Sequence, residues 1–270
     1  NGLEVTVDRM SAMAGTGGLF IRETNALTLD SVTVAVQRIA DSAALPVQTT
    51  DLSQSVNSTG AGGHLVVQTG GSLTVSQTVT AAGAANLLLQ AGGAGSLVAS
   101  ADITSGSGHI SLLAADAITL NAGVDVSTTV NGSLDIAAQT GNLTMAADAK
   151  LATVNGDIRI TAGNGATDQV TIGQITAATA NVSITAAGSI LDADTVTSSA
   201  DDTTVDITAL GLSLSAGKGA GLLAGNSLTQ PVNALETMIH AICDELIGKF
   251  EKRGGCEFVG EFSSLFPSYI

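Results

Sequence analysis

Between residues 62 and 215 the chain alternates aliphatic and polar positions in short bursts, and the bursts recur at a nearly constant interval. The first aliphatic position after each turn falls at Leu65, Leu87, Ile110, Leu134, Ile158, Val182 and Val205, so the spacings are 22, 23, 24, 24, 24 and 23 residues. Two positions on stand Val67, Leu89, Leu112, Ile136, Ile160, Ile184 and Ile207. Two further on stand Thr69, Ala91, Ala114, Ala138, Ala162, Ala186 and Ala209. Side chains two apart on a strand share a face. The inward face therefore reads large, large, small, with the small residue at a corner. The position before each anchor is polar throughout (His64, Asn86, His109, Ser133, Asp157, Asn181 and Thr204), as an outward-facing position requires. The residue before that is mostly Gly or Ala, which suits a tight turn.

A second aliphatic pair follows in most periods: Leu73 and Val75, Ile118 and Leu120, Leu143 and Met145, Val170 and Ile172, Leu212 and Leu214. A third, weaker anchor follows at Val79, Ile103, Val126, Leu151, Ile175 and Val196. Three short strands and three turns in about 23 residues make one coil of a parallel β-helix. A helical repeat of that length would show a period of 3.6, which is absent. The predicted fold is all-β, a right-handed parallel β-helix in which each coil buries its apolar face against its neighbours.

The flanks differ. Residues 1–61 predict opening coils over Leu3–Val7 and Leu19–Val36, then an irregular excursion rich in Ser, Thr and Gly around Pro46. The regular β-helix is expected over 62–230. Residues 231–270 predict a C-terminal α-helix followed by an extended tail. Leu235, Met238, Ile239, Ile242, Leu246 and Phe250 form one apolar stripe at helical spacing. Asn233 with Glu236 has the form of a capping box, and Lys252, Arg253, Gly254 and Gly255 form a stop. Phe258, Phe262, Phe266 and Tyr269 then arrive together. This segment has three readings: a cap on the open end of the solenoid, an assembly segment that docks on another subunit, or a piece foreign to the solenoid.

Composition sharpens the picture. Hydrophobic residues make up 44% of the 270-residue chain but aromatics only 2%, so the core must be narrow and aliphatic. The net charge is −15 with only 9 Lys and Arg, which removes the basic footprint of a nucleic-acid binder. No apolar run is long enough for a membrane-spanning helix, so membrane insertion is not expected. The first residue is Asn1, read as a processed product or a piece of a longer protein. The two cysteines, Cys243 and Cys256, fall in the last 28 residues and are compatible with a disulfide, an inter-chain bond or free thiols.

Candidate chemistry is sparse. No catalytic residue and no cofactor is expected. His64 and His109 hold the same coil position two coils apart and read as surface histidines. Asp102, Asp125 and Asp148 recur every 23 residues, with Asp194 two periods further on. They are the only metal candidates, for Ca²⁺, which takes six to eight oxygens. Asp192, Asp194, Asp201 and Asp202 form a local acidic cluster of the same kind. The only cations from 62 to 230 are Lys150, Arg159 and Lys218, too few for an enzyme acting on acidic polysaccharides. An ice-binding face needs stacked Thr-x-Thr, which only Thr78/Thr80 and Thr195/Thr197 supply.

Units such as GSLDIAAQTGNLTM, GDIRITAGNG and NVSITAAGSIL resemble the repeats of bacterial filamentous-haemagglutinin-like exoproteins and giant repetitive adhesins. The resemblance covers roughly 62–215, with an echo at LFIRETNALTLDSV; the helix and aromatic tail depart from the family pattern. It implies a secreted or cell-surface bacterial protein, a rod segment of an adhesin or fibre without enzymatic activity. The expected partners are other copies of the chain joined head to tail, neighbouring parts of a larger exoprotein, or a surface ligand on a host. Assembly is assigned to Leu235, Met238, Ile239, Ile242, Leu246, Phe250, Phe258, Phe262, Phe266 and Tyr269. The alternative is a carbohydrate-binding or polysaccharide-degrading β-helix protein.

Overall fold

Alternating aliphatic runs of three to five residues are too short to pair with themselves, so they pair with their counterparts one period away. In the computed structural model, which describes residues 2–38, 48–194 and 204–221, every element is a strand and every pairing but one is parallel. No helix occurs among the described residues. Each coil has three legs. The first legs are Leu65–Thr69, Leu87–Ala91, Ile110–Ala114, Leu134–Ala138 and Ile158–Ala162. They pair in unbroken register, Leu87 with Ile110, Ile110 with Leu134, Leu134 with Ile158. The second legs, among them Leu73–Val75, Leu97–Ala99, Ile118–Leu120, Leu143–Met145 and Val170–Ile172, form a separate nine-stranded sheet. The third legs, among them Val79–Ala81, Ile103–Ser105, Asp125–Thr128 and Lys150–Ala152, stack in the same sheet as the first legs. The long strand Gln174–Ala186 joins the two sets by running through a third leg into the next first leg.

The core is a set of aliphatic columns. Leu65, Leu89, Ile110, Leu112, Ile136 and Ile160 are fully buried, and each stacks on its equivalent in the next coil. The expected large, large, small pattern on the first leg holds through these coils. At the corner leading back to the first leg, buried hydroxyls do what an alanine cannot. Thr128 Oγ1 donates to the Gly132 carbonyl at 2.7 Å, Thr153 Oγ1 to that of Gly156, and Ser105 Oγ to that of Ala85 at 2.7 Å. Glycine is required beside these corners because the coils come very close. A Cβ on Gly132 would lie 2.0 Å from the Gly108 carbonyl oxygen, and one on Gly156 would lie 1.9 Å from that of Gly132.

The periodic reading fails at two places. After Val182 the next first-leg anchor is Leu212, not Val205: Val182, Ile184 and Ala186 pair with Leu212, Leu214 and Ala216. Ile207 and Ala209 stand on the third leg, opposite Ile175 and Ala177, and Val205 is 69% exposed. Leu212 and Leu214 are therefore first-leg residues and not the second-leg pair expected. This coil takes 30 residues, and a large-x-large-x-small run suits either leg, so pattern alone chose the wrong one. Val196 lies outside the described residues.

The second failure is near the start, where Leu19–Glu23 pairs directly with Leu65–Thr69, 46 residues on. The intervening chain pairs Val32–Arg38 antiparallel with Gln48–Gln54 as a hairpin, so Val32–Val36 leaves the solenoid where it was expected to continue the opening coils, and its partner strand lies where an irregular excursion was expected. The chain re-enters the solenoid at Asn57–Thr59. The described residues through Gly221 form one compact unit. The predicted C-terminal helix and tail, 231–270, lie outside the described residues.

Candidate functional site

Outward positions of a parallel stack form columns, and the polar columns here bond the coils to one another. Nδ1 of His64 accepts the Asn86 N–H at 3.0 Å, and Oδ1 of Asn86 accepts the His109 N–H at 2.9 Å. Nδ1 of His109 accepts the Ser133 N–H at 3.1 Å and lies 2.8 Å from Ser133 Oγ. Oδ1 of Asp157 accepts the Asn181 N–H at 2.8 Å. Both histidines thus work as rung-to-rung acceptors in one exposed column. On another column, Asn155 Nδ2 donates to Asn131 Oδ1 at 3.1 Å, and Thr179 Oγ1 donates to Asn155 Oδ1 at 2.9 Å.

Of the aspartates of constant spacing, only Asp102 and Asp125 share a column. Asp125 follows Asp102 on the third leg, and Asp102 Oδ1 accepts the Asp125 N–H at 2.9 Å. The next place in that column belongs to Lys150, while Asp148 stands two residues earlier in the turn. Asp194 follows the second-leg strand Ser189–Asp192, elsewhere in its coil. A 23-residue interval does not place residues in one column because coil lengths vary about that value. The structure instead brings Asp192 and Asp194 together with Asp206, whose carboxylate oxygens lie within 4.8 Å of one another and are half-buried. Oδ1 of Asp192 accepts the Asp194 N–H at 2.8 Å. Asp201 and Asp202 lie outside the described residues.

Threonines show the same register effect. Thr28, Thr74, Thr119, Thr144 and Thr171 form an outward column on the second leg, interrupted by Val98. Thr80 pairs with Thr104 on the third leg, their hydroxyls 3.1 Å apart. These are single columns on different legs, not a Thr-x-Thr face; Thr195 and Thr197 lie outside the described residues.

The described residues contain two ion pairs. Arg9 meets Asp30 at 3.1 Å, and Arg159 donates through Nε and Nη2 to both oxygens of Asp135, at 2.8 Å each. The Arg159 pKa is raised, first by its hydrogen bonds to Asp135 and second by that residue's charge. Glu23 is buried at the corner where later coils place Thr or Ala. Its carboxylate accepts the N–H groups of Val7 and Asn25 at 2.8 and 3.0 Å, so its role is to close the opening coil.

Sequence reasoning missed one surface. On the outward face of the opening first legs, Glu4, Arg22, Gln68 and Gln90 occupy one column and line a groove of about 450 Å³. Gln68 Nε2 donates to Gln90 Oε1 at 2.7 Å. The column was hidden because Arg22 and Gln68 become neighbours only across the inserted hairpin.

All ten residues assigned to assembly, Leu235 to Tyr269, and both cysteines lie outside the described residues. No helix among the described residues is long and apolar enough to cross a membrane. Comparison with family models, with characterised proteins and with solved structures finds no match for this chain.

Proposed function

We propose that this chain is an extracellular structural protein, a rod segment of a bacterial surface adhesin or fibre. The observation that carries the reading is the division of labour between the two faces of the coil. The inward face holds aliphatic columns with no room for a ligand, and the outward columns spend their polar groups bonding one coil to the next. Such a stack gains stability from each neighbour it adds, which suits a spacer whose length matters more than any one site. The coils are taken to wind right-handed, as parallel crossover connections do. End-to-end joining of copies through residues 231–270 is the part of the proposal that rests on sequence alone. Heterologous contacts of that kind do not close and give fibres. The test is labelling of intact cells of the source organism with antibody raised against the purified chain. Surface labelling before lysis is the expected result; labelling only after lysis would overturn the extracellular assignment.

A further inference from the structure

We propose that the outward face of the opening first legs binds a neutral oligosaccharide. Two columns run side by side there. One is apolar: Phe20, Val66 and Leu88, stacked in register. The other is polar: Glu4, Arg22, Gln68 and Gln90. They stand two residues apart along each strand, about 7 Å, and repeat every rung at about 4.8 Å. Phe20 is the only aromatic among the described residues, and it is 42% exposed. Its ring leans across a corner, since a Cβ on Gly18 would meet Cε2 of Phe20 at 3.0 Å.

The chemistry of the two columns selects the ligand. A pyranose has an apolar C–H face and a rim of hydroxyls, so it needs an apolar surface beside planar polar groups. Arg, Glu and Gln each present paired donors or acceptors that match two adjacent hydroxyls. Glu4 and Arg22 are both exposed, and neither takes part in the ion pairs of the described residues. The charges of Glu4 and Arg22 offset each other, the Glu23 carboxylate that also lines the groove is held by the Val7 and Asn25 N–H groups, and the net charge of −15 repels a polyanion. The rung repeat is commensurate with an extended sugar chain. An extended peptide would instead add to the free edge of Leu3–Val5, which among the described residues pairs only with Leu19–Glu23; that edge lies at the end of the stack and not on this outward face. The inference goes beyond the structural reading, and its failure leaves that reading standing, because a rod needs no ligand.

The test is titration of the full chain with cellohexaose, mannohexaose and chitohexaose, and with trigalacturonate as the anionic comparator, followed by amide NMR shifts. The expected result is saturable shifts around Phe20, Arg22, Gln68 and Gln90 with at least one neutral hexasaccharide. Phe20→Ala and Arg22→Ala should each weaken binding at least tenfold, Phe20→Tyr should preserve it, and Arg159→Ala should leave it unchanged. The Tyr variant and circular dichroism of each protein separate loss of binding from loss of fold. No shift with any neutral sugar, binding of trigalacturonate alone, or shifts that survive both alanine variants would overturn the proposal.

Discussion

Leu112 and Leu113 are adjacent residues of one type, and the fold assigns them opposite fates. Leu112 points inward, is 0% exposed, and stacks between Leu89 and Ile136. Leu113 points outward, is half-buried, and stands between Gln90 and Ala137. Leu→Ala removes three carbon groups at about 0.8 kcal/mol each when fully buried, about 2.4 kcal/mol in transfer alone. The residual cavity adds to that, because neighbouring coils cannot close onto the gap without leaving register; the expected total is about 3–4 kcal/mol, within the range of about 2–5 seen for such changes. For Leu113→Ala the lost burial is partial and no closed cavity forms, so about 0.5–1 kcal/mol is expected. Urea unfolding followed by far-UV circular dichroism measures both. A one-residue slip of register would exchange the two faces. Equal costs, a larger cost at Leu113, or a cost below about 1 kcal/mol at Leu112 would refute the assignment of faces.

Four further outcomes follow from the contacts between coils. Gly132→Ala should cost about 1–3 kcal/mol by overpacking against the Gly108 carbonyl, read from the same unfolding curves. His109→Ala should cost about 1 kcal/mol through the lost acceptor for the Ser133 N–H, and His109→Asn should recover most of it, as Asn86 makes the same bond in its own coil. Asp135→Asn should cost no more than about 1 kcal/mol, and less in high salt, because Arg159 is 63% exposed. Replacing the hairpin, 32–55, by a short Gly-Asn turn should leave the thermal midpoint within a few degrees, since Leu27–Leu29 and Asn57–Thr59 are held by the next coil and not by the hairpin.

How much of this was legible depends on what strict alternation can encode. The columns from Leu65 to Ile184 were readable because period-two alternation fixes the inward face and coil lengths there differ by no more than two residues. Val205 misled because Val-x-Ile-x-Ala fits the template of either leg, and only pairing shows that Ile207 sits opposite Ile175. Leu19 looked like the start of a loosely related region because the hairpin moves its partner Leu65 to twice the usual distance. The groove was invisible for the same reason: Glu4, Arg22, Gln68 and Gln90 lie 18, 46 and 22 residues apart. The acid cluster was only half foreseen, because Asp206 stands at the start of the third leg of the same coil, where the periodic pattern had placed a first leg.

Electron microscopy of the purified chain over a concentration series, with and without residues 232–270, tests the structural reading most directly. The account predicts filaments that lengthen with concentration for the full chain and short uniform rods for the truncated one. Short uniform rods from both chains at every concentration would contradict end-to-end joining, and compact round particles would contradict the rod itself.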